Sequence, residues 1–144
     1  MTQRWICLSI GLILATTAGC EKGPPPGPDL VKPYSVHGTI TFPGRTPLRG
    51  GVVYFTPKEL NDGRKLRYEG AGLVDARGNY KIGLNGDGRG LGAGEYAVTM
   101  IPREVQELPN SNSARIPKQY QEKANTPLTV TVEEGDNTFD FELK

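Results

Sequence analysis

Few residues of this chain could do chemistry. His37 is the single histidine, and nucleophilic catalysis would need a serine or cysteine and an orienting acid brought to it in space. The sequence contains no G-x-S-x-G, the turn that exposes a serine nucleophile. The adjacent acids Glu133 and Glu134 fall at a predicted turn, where solvated charges are a simpler interpretation than the spaced carboxylates of a glycosidase. We therefore expect no catalytic residues and no enzymatic activity.

The glycine-rich segment 85–94 raises two ligand alternatives. Phosphate-binding glycine loops lead into a helix N-terminus, whereas this segment leads into the strand pattern of residues 95–101. Calcium prefers six to eight oxygen ligands, and Asn85 and Asp87 supply only two side chains. We expect a hairpin loop with no cofactor and no metal. Whether backbone carbonyls and distant carboxylates complete a calcium site at Asn85 and Asp87 stays open.

Composition excludes further classes of function. The 144 residues include 17 basic and 16 acidic side chains, which gives a formal charge of +1. Nucleic-acid binding requires a basic excess that faces the phosphates, so we expect no nucleic-acid partner. One histidine and two cysteines cannot assemble a zinc site rich in those residues.

The N-terminus has the layout of a secretory signal peptide. Arg4 precedes an apolar run over residues 5–15, and small residues close the segment before Cys20. The run is 11 residues long, whereas a membrane-spanning helix needs about 20 apolar residues. The segment is therefore too short to span a bilayer and fits an export signal.

Residues 17–20, Thr-Ala-Gly-Cys, resemble the lipobox of bacterial lipoproteins, in which small residues precede a cysteine that is acylated before cleavage. Thr17 stands where that motif usually has leucine. The resemblance implies that residues 1–19 are a lipoprotein signal peptide and that Cys20 is the lipidation site. Because two or more acyl chains hold a protein stably on a bilayer, we expect an exported protein anchored to a bacterial envelope membrane, periplasmic or surface-facing. Which membrane and leaflet carry it stays open.

A proline-rich segment follows the lipidation site. Residues 21–33 contain five prolines and two glycines in thirteen positions. Proline-rich linkers extend by about 3.1 Å per residue, so this segment could separate a domain from the lipid by up to roughly 40 Å. We interpret residues 20–33 as the lipidated cysteine and a tether.

Residues 34–144 show the period-two alternation of strands with one buried face. Seven strands are predicted, at residues 34–42, 51–56, 69–74, 80–84, 95–101, 128–132 and 138–143. Turn residues separate these strands, and residues 116–124 favour only a helical turn or two. The pattern predicts an all-β domain, a seven-strand antiparallel β-sandwich. Its predicted core consists of Val36, Ile40, Phe42, Val53, Phe55, Leu73, Ile82, Leu84, Val98, Met100, Val130, Phe139 and Phe141.

Several segments of this domain resemble transthyretin-like, or carboxypeptidase regulatory-like, domains. The opening VHGTITF of residues 36–42 is followed by GVVYF at 51–55, then by DARGNY at 75–80 and GEYAVT at 94–99. Residues 116–120 and 126–130 are similar to the end of the version found in small bacterial lipoproteins. The resemblance implies a prealbumin-like sandwich over residues 34–144 and implies no catalytic activity.

Six tyrosines are the candidates for ligand contact, because sugar sites present flat aromatic rings. Alternation assigns Tyr34, Tyr80 and Tyr96 to the core or its rim. Tyr54, Tyr68 and Tyr120 are left as possible ligand contacts, although we expect Tyr120 to fix the segment 103–126 to the sandwich. The sequence thus predicts a non-enzymatic envelope module with a structural or protein-interaction role, or alternatively a carbohydrate-binding module. The expected partners are the membrane, through the lipid, and an envelope protein or glycan.

Overall fold

The structure, a computed structural model, describes residues 29–59, 61–62, 65–103 and 110–144. The predicted signal peptide, Cys20 and residues 21–28 of the predicted tether lie outside these ranges. None of the helical segments in the described ranges has the length and hydropathy that a bilayer-spanning helix requires. Those segments are three single 3-10 turns, Leu84–Gly86, Ser113–Arg115 and Lys118–Tyr120.

The described chain is all-β, as the sequence predicts. The strands are β1 (Asp29–Leu30), β2 (Val36–Phe42), β3 (Thr46–Pro47), β4 (Val52–Pro57), β5 (Asn61–Asp62), β6 (Lys65–Leu66), β7 (Gly70–Leu73), β8 (Asn79–Lys81), β9 (Gly94–Ile101), β10 (Thr129–Val132), β11 (Asn137–Thr138) and β12 (Phe141–Glu142). Two main sheets form, with the order β10-β9-β4-β7 in one and β2 paired with β3, β8, β11 and β12 in the other. A small third sheet joins β1, β6 and β5.

The expectation of a wholly antiparallel layout is wrong at the C-terminus. The four-stranded sheet is antiparallel throughout, but β11 and β12 run parallel to β2, as β1 does to β6. After β10 the chain turns from the four-stranded sheet into the other sheet. Alternating residues show which face of a strand is buried, but they do not show which neighbour the strand joins or in which direction.

The predicted seventh strand is divided in two at Phe139 and Asp140. The backbone carbonyl of Phe139 occupies the space beside Gly38 of β2, where any Cβ atom would overlap it. The buried hydroxyl of Tyr80 donates a hydrogen bond of 2.6 Å to that carbonyl. Asp140 lies in the same interruption between the two strands. Its Oδ1 accepts hydrogen bonds from the backbone N–H and the hydroxyl of Thr39 of β2. Glycine at position 38 therefore permits the break in β-pairing.

Both main sheets contribute to one hydrophobic core. Phe55 of β4 packs against Tyr80, Phe139 and Phe141 with ring centroids 6.1–6.4 Å apart. Most of the predicted core is buried, and Val130 and Phe139 are half-buried against it. The buried hydrophobic residues that the predicted core omits are Leu48, Val52, Val74, Leu91, Ala97, Ile116, Tyr120, Val132 and Leu143. Tyr80 and Tyr96 are buried, as strand alternation predicts.

Two of the predicted core residues, Leu73 and Leu84, are exposed, at 57% and 38%. In β7 the inward positions belong to Gly70 and Gly72, which lie against Ile82. Leu73 therefore points to the outer face, and the next inward side chain is that of Val74. Leu84 opens a 3-10 turn instead of continuing β8, so strand alternation no longer applies there.

Contacts between the end of the predicted tether and the domain begin before residue 34. Tyr34 and Leu91 exchange two backbone hydrogen bonds of 2.7 and 2.9 Å. A side chain at Gly92 would overlap Val31, and one at Gly90 would overlap the Tyr34 carbonyl. The glycines of segment 85–94 thus make room for the incoming chain, a role that the predicted hairpin loop did not include.

Candidate interaction surface

The outer face of the four-stranded sheet ends in a row of three aliphatic side chains, of which the two outer ones are exposed. Antiparallel register places Leu73 of β7 opposite Val52 of β4, and Val52 opposite Ile101 of β9. Leu73 is 57% exposed and Ile101 is 37% exposed, while Val52 between them is buried. We call these three residues the aliphatic row. Contiguous apolar patches on a protein surface commonly mark interaction sites, whereas isolated exposed aliphatic residues are normal.

The next positions along the strands extend this surface with small, uncharged residues. Tyr54 of β4 lies opposite Ala71 of β7 and Thr99 of β9. Tyr54 is half-buried in this row. Because side chains alternate across a strand, Tyr54 shares the outer face with Val52, and both belong to one uncharged area.

The opposite end of the same face is polar and internally bonded. The hydroxyl of Thr56 donates a hydrogen bond of 2.6 Å to Glu69. Lys58 forms an ion pair with Glu95 at 3.6 Å between exposed side chains. The face therefore changes from charged to aliphatic along the strand direction.

Two shallow depressions flank Leu73 and share Lys81. One, of about 550 Å³, is lined by the aliphatic row's Leu73 and Val52, by Tyr54 and by the cations Lys81 and Arg103. The other, of about 640 Å³, is lined by His37, Gly38, Thr39, Leu73, Asp75, Asn79, Tyr80, Lys81, Thr138 and Asp140.

The charged side chains around the aliphatic row differ in the ion pairs and hydrogen bonds that they form. Neither Lys81 nor Arg103 forms an ion pair with any described residue. The carboxylate of Asp75, in contrast, accepts hydrogen bonds from the backbone N–H groups of Arg77 and Asn79 and from the Asn79 amide, at 2.7–2.9 Å. Burial raises the pKa of Asp75, but these hydrogen bonds outweigh it and lower the pKa below its usual value. Among its described lining residues, the depression on the outer sheet face therefore has two cations and no acid, whereas the neighbouring depression also holds the carboxylates of Asp75 and Asp140.

His37 is one of the residues that line the second depression. Its Nε2 is 3.2 Å from the hydroxyl of Thr138, and its Nδ1 is 3.4 Å from Asp136. The predicted placement of His37 opposite the apolar stripe of β2 is confirmed by its alternation with buried Val36 and Ile40. Acid, imidazole and hydroxyl follow one another as in hydrolytic triads. Here, however, the Asp136 side chain is 67% exposed. Charged and polar side chains stabilise a transition state strongly only where water is excluded.

The three candidate ligand-contact tyrosines are not brought together. Tyr54 lies on the outer face described above, while Tyr68 lines a separate depression of about 220 Å³ near Val31 and donates a hydrogen bond of 3.3 Å to the Gly90 carbonyl. Tyr120 is 4% exposed, so its ring is covered by the domain. Its hydroxyl bonds the backbone of Lys144 at 3.1 and 3.4 Å, which confirms the expectation that it fixes its segment to the sandwich.

The predicted calcium alternative is only partly covered by the structure. Asp87 accepts hydrogen bonds from the backbone and the guanidinium of Arg89, at 3.0 and 2.7 Å, and these bonds lower its pKa. The side chain of Asn85 lies outside what the structure describes. Within the described ranges, no three His, Cys, Asp or Glu side chains lie together in a way that could hold a metal ion.

Sequence analysis missed Leu73, Lys81 and Arg103 as surface residues. One sequence signal points to Leu73: Gly70 and Gly72 alternate with Ala71 and Leu73, and glycines at inward positions would turn Leu73 outward. Lys81 and Arg103 come from different elements and meet only through tertiary structure. No family model, curated protein or solved structure matches this chain, so an argument about function must rest on these residues.

Proposed function

We propose that this protein is a non-enzymatic module, lipid-anchored to a bacterial envelope membrane through Cys20, that acts by contacting another protein through the outer face of its four-stranded sheet. The observation that carries the proposal is the aliphatic row, with Leu73 57% exposed on a strand surface. Burial of a leucine or isoleucine side chain contributes about 1.5–3 kcal/mol. Covering Leu73 and Ile101 would therefore supply a useful part of a binding free energy.

The proposed anchor determines where such a partner is met. Because contacts with the domain begin near Asp29, residues 21–28 are left between the lipid and the domain. At about 3.1 Å per residue they reach roughly 25 Å, which is shorter than the sequence predicts for the whole tether. The partner would accordingly belong to the same membrane or lie close to it.

We also propose that the domain is a prealbumin-like sandwich. The order of the motifs from residue 36 to residue 130 supports this, as does a core shared by the two main sheets. The parallel pairing of β11 and β12 with β2 is the feature that such an assignment has to accommodate.

A carbohydrate ligand is the second candidate, and the position of Tyr54 favours it. Tyr54 lies on the outer face opposite Ala71 and Thr99 and lines a depression with polar and charged neighbours, as a sugar site would require. In that case Tyr54→Ala would abolish binding on a glycan array and Leu73→Ser would not. The protein-contact proposal expects the reverse order of effects on partner binding.

Photo-crosslinking in cells tests the proposal. A photoreactive residue replaces Leu73 in the full-length chain, and the matched control carries it at exposed Lys123. We expect a discrete protein adduct from position 73 and none from position 123. We also expect a labelled palmitate analogue to be incorporated in wild type but not in Cys20→Ser. Equal adducts from both positions, or unchanged acyl labelling in Cys20→Ser, would contradict the proposal.

A further inference from the structure

We propose that the partner's contact segment is acidic, with aliphatic side chains next to aspartate or glutamate carboxylates that meet Lys81 and Arg103. This inference rests on the proposed function and specifies the partner's chemistry at the same surface. It follows from charge, since two cations and the aliphatic row line one depression.

The two cations are available to a partner. Both side chains belong to exposed residues, and neither forms an ion pair with a described residue. The acids in the neighbouring depression are already engaged: Asp75 accepts hydrogen bonds within its own turn, and Asp140 accepts two from Thr39. Both acids keep their negative charge, but among the described residues no carboxylate forms an ion pair with Lys81 or Arg103.

A second copy of this chain fits the surface less well than an acidic partner. Arg103 follows β9, whereas Lys81 lies beyond the β7 edge, so the two cations bound the aliphatic row on opposite sides. A two-fold axis parallel to the strands would bring Lys81 of each copy towards Arg103 of the other. A two-fold axis across the strands, along the aliphatic row, would stack the row on itself and bring each cation against the same cation of the second copy. Both arrangements therefore place like charges of the two copies next to each other.

The expected contribution of the cations is modest but measurable. Exposed ion pairs contribute about 0.2–1 kcal/mol each, so removing one weakens binding by up to about fivefold. Reversing both charges replaces two attractions with repulsions, and we expect a loss on the order of tenfold or more. Such rim charges also make the association rate fall as ionic strength rises.

Selection from a random twelve-residue peptide library tests this chemistry. The full-length lipidated protein is presented in nanodiscs of zwitterionic phosphatidylcholine, so that the lipid does not select charged peptides. The test variant is Lys81→Glu/Arg103→Glu. The control, Lys118→Glu/Lys123→Glu, makes the same change of charge at exposed positions elsewhere. We expect wild type and the control to enrich peptides with Asp or Glu beside Leu, Ile or Val, and the test variant to lose them.

Enrichment of neutral or basic peptides by wild type would overturn the inference, as would retention of the acidic peptides by the test variant. The crosslink from position 73 separates this failure from failure of the proposed function. If that adduct persists unchanged in Lys81→Glu/Arg103→Glu and is insensitive to salt, the acidic-partner inference fails while the contact surface stands. If wild type gives no adduct from position 73, the proposed function itself fails.

Discussion

Replacing Tyr80 with phenylalanine is expected to destabilise the fold by removing one hydrogen bond. Tyr80 is 3% exposed, and its hydroxyl donates to the Phe139 carbonyl at 2.6 Å, where the pairing with β2 is interrupted. Phenylalanine keeps the ring contacts with Phe55 and Phe141, so the change is confined to the hydroxyl. A buried carbonyl that loses its donor costs about 1–3 kcal/mol.

Urea unfolding of the full-length protein measures this loss. We expect Tyr80→Phe to lower the free energy of unfolding by about 1–2 kcal/mol, with an unchanged denaturant slope. Tyr54→Phe is the matched control: Tyr54 lies half-buried on the outer face, and we expect a change within about 0.5 kcal/mol. Equal effects of the two substitutions would refute the argument that the Tyr80 hydroxyl supports the break between β11 and β12.

Three further predictions concern stability. Burial raises the pKa of Tyr96 to about 12, so its contribution to stability is complete below pH 10 and is lost as the pH rises to about 12; Tyr96→Phe should flatten this alkaline decline in thermal unfolding. Because the pKa of Asp75 is lowered in the folded protein, its ionised carboxylate stabilises the fold above about pH 4. This contribution is lost as the pH falls below that value. Asp75→Asn should therefore cost about 0.5–1 kcal/mol at pH 7, and the difference from wild type in urea titrations should shrink as the pH falls. Gly38→Ala places a methyl group against the Phe139 carbonyl and should destabilise by about 3 kcal/mol, with faster amide exchange in β11 and β12; wild-type exchange rates there would contradict the packing argument.

Sequence alternation predicted the fold well wherever one face of a strand carries large apolar side chains. In β2 and β9 the inward residues, such as Ile40 and Met100, are those that the pattern selects. The prediction failed in β7, because glycines occupy its inward positions and leave no hydrophobic signal there. It also failed on the direction of β11 and β12, because the direction depends on how the chain crosses between sheets.

The candidate surface was less predictable than the fold. Residue type alone favours tyrosines as ligand contacts, and of Tyr54, Tyr68 and Tyr120 only Tyr54 lies on the outer face near the aliphatic row. Lys81 and Arg103 are 22 positions apart in the sequence. They line the same depression only in the folded protein, because Lys81 ends β8 and Arg103 follows β9. The proposed lipidation site, Cys20, was predicted from a local sequence motif and lies outside the described residues.

Protection of Leu73 in the envelope tests the central claim most directly. A Leu73→Cys variant introduces a thiol into a mature chain whose other cysteine, Cys20, is the proposed lipidation site. Its reaction with a polar maleimide is measured in isolated envelopes and after purification, beside the exposed control Lys123→Cys. We predict that position 73 reacts at least tenfold more slowly in envelopes than when purified, while position 123 reacts equally in both. Equal rates for position 73 in both preparations would contradict a surface covered by a partner.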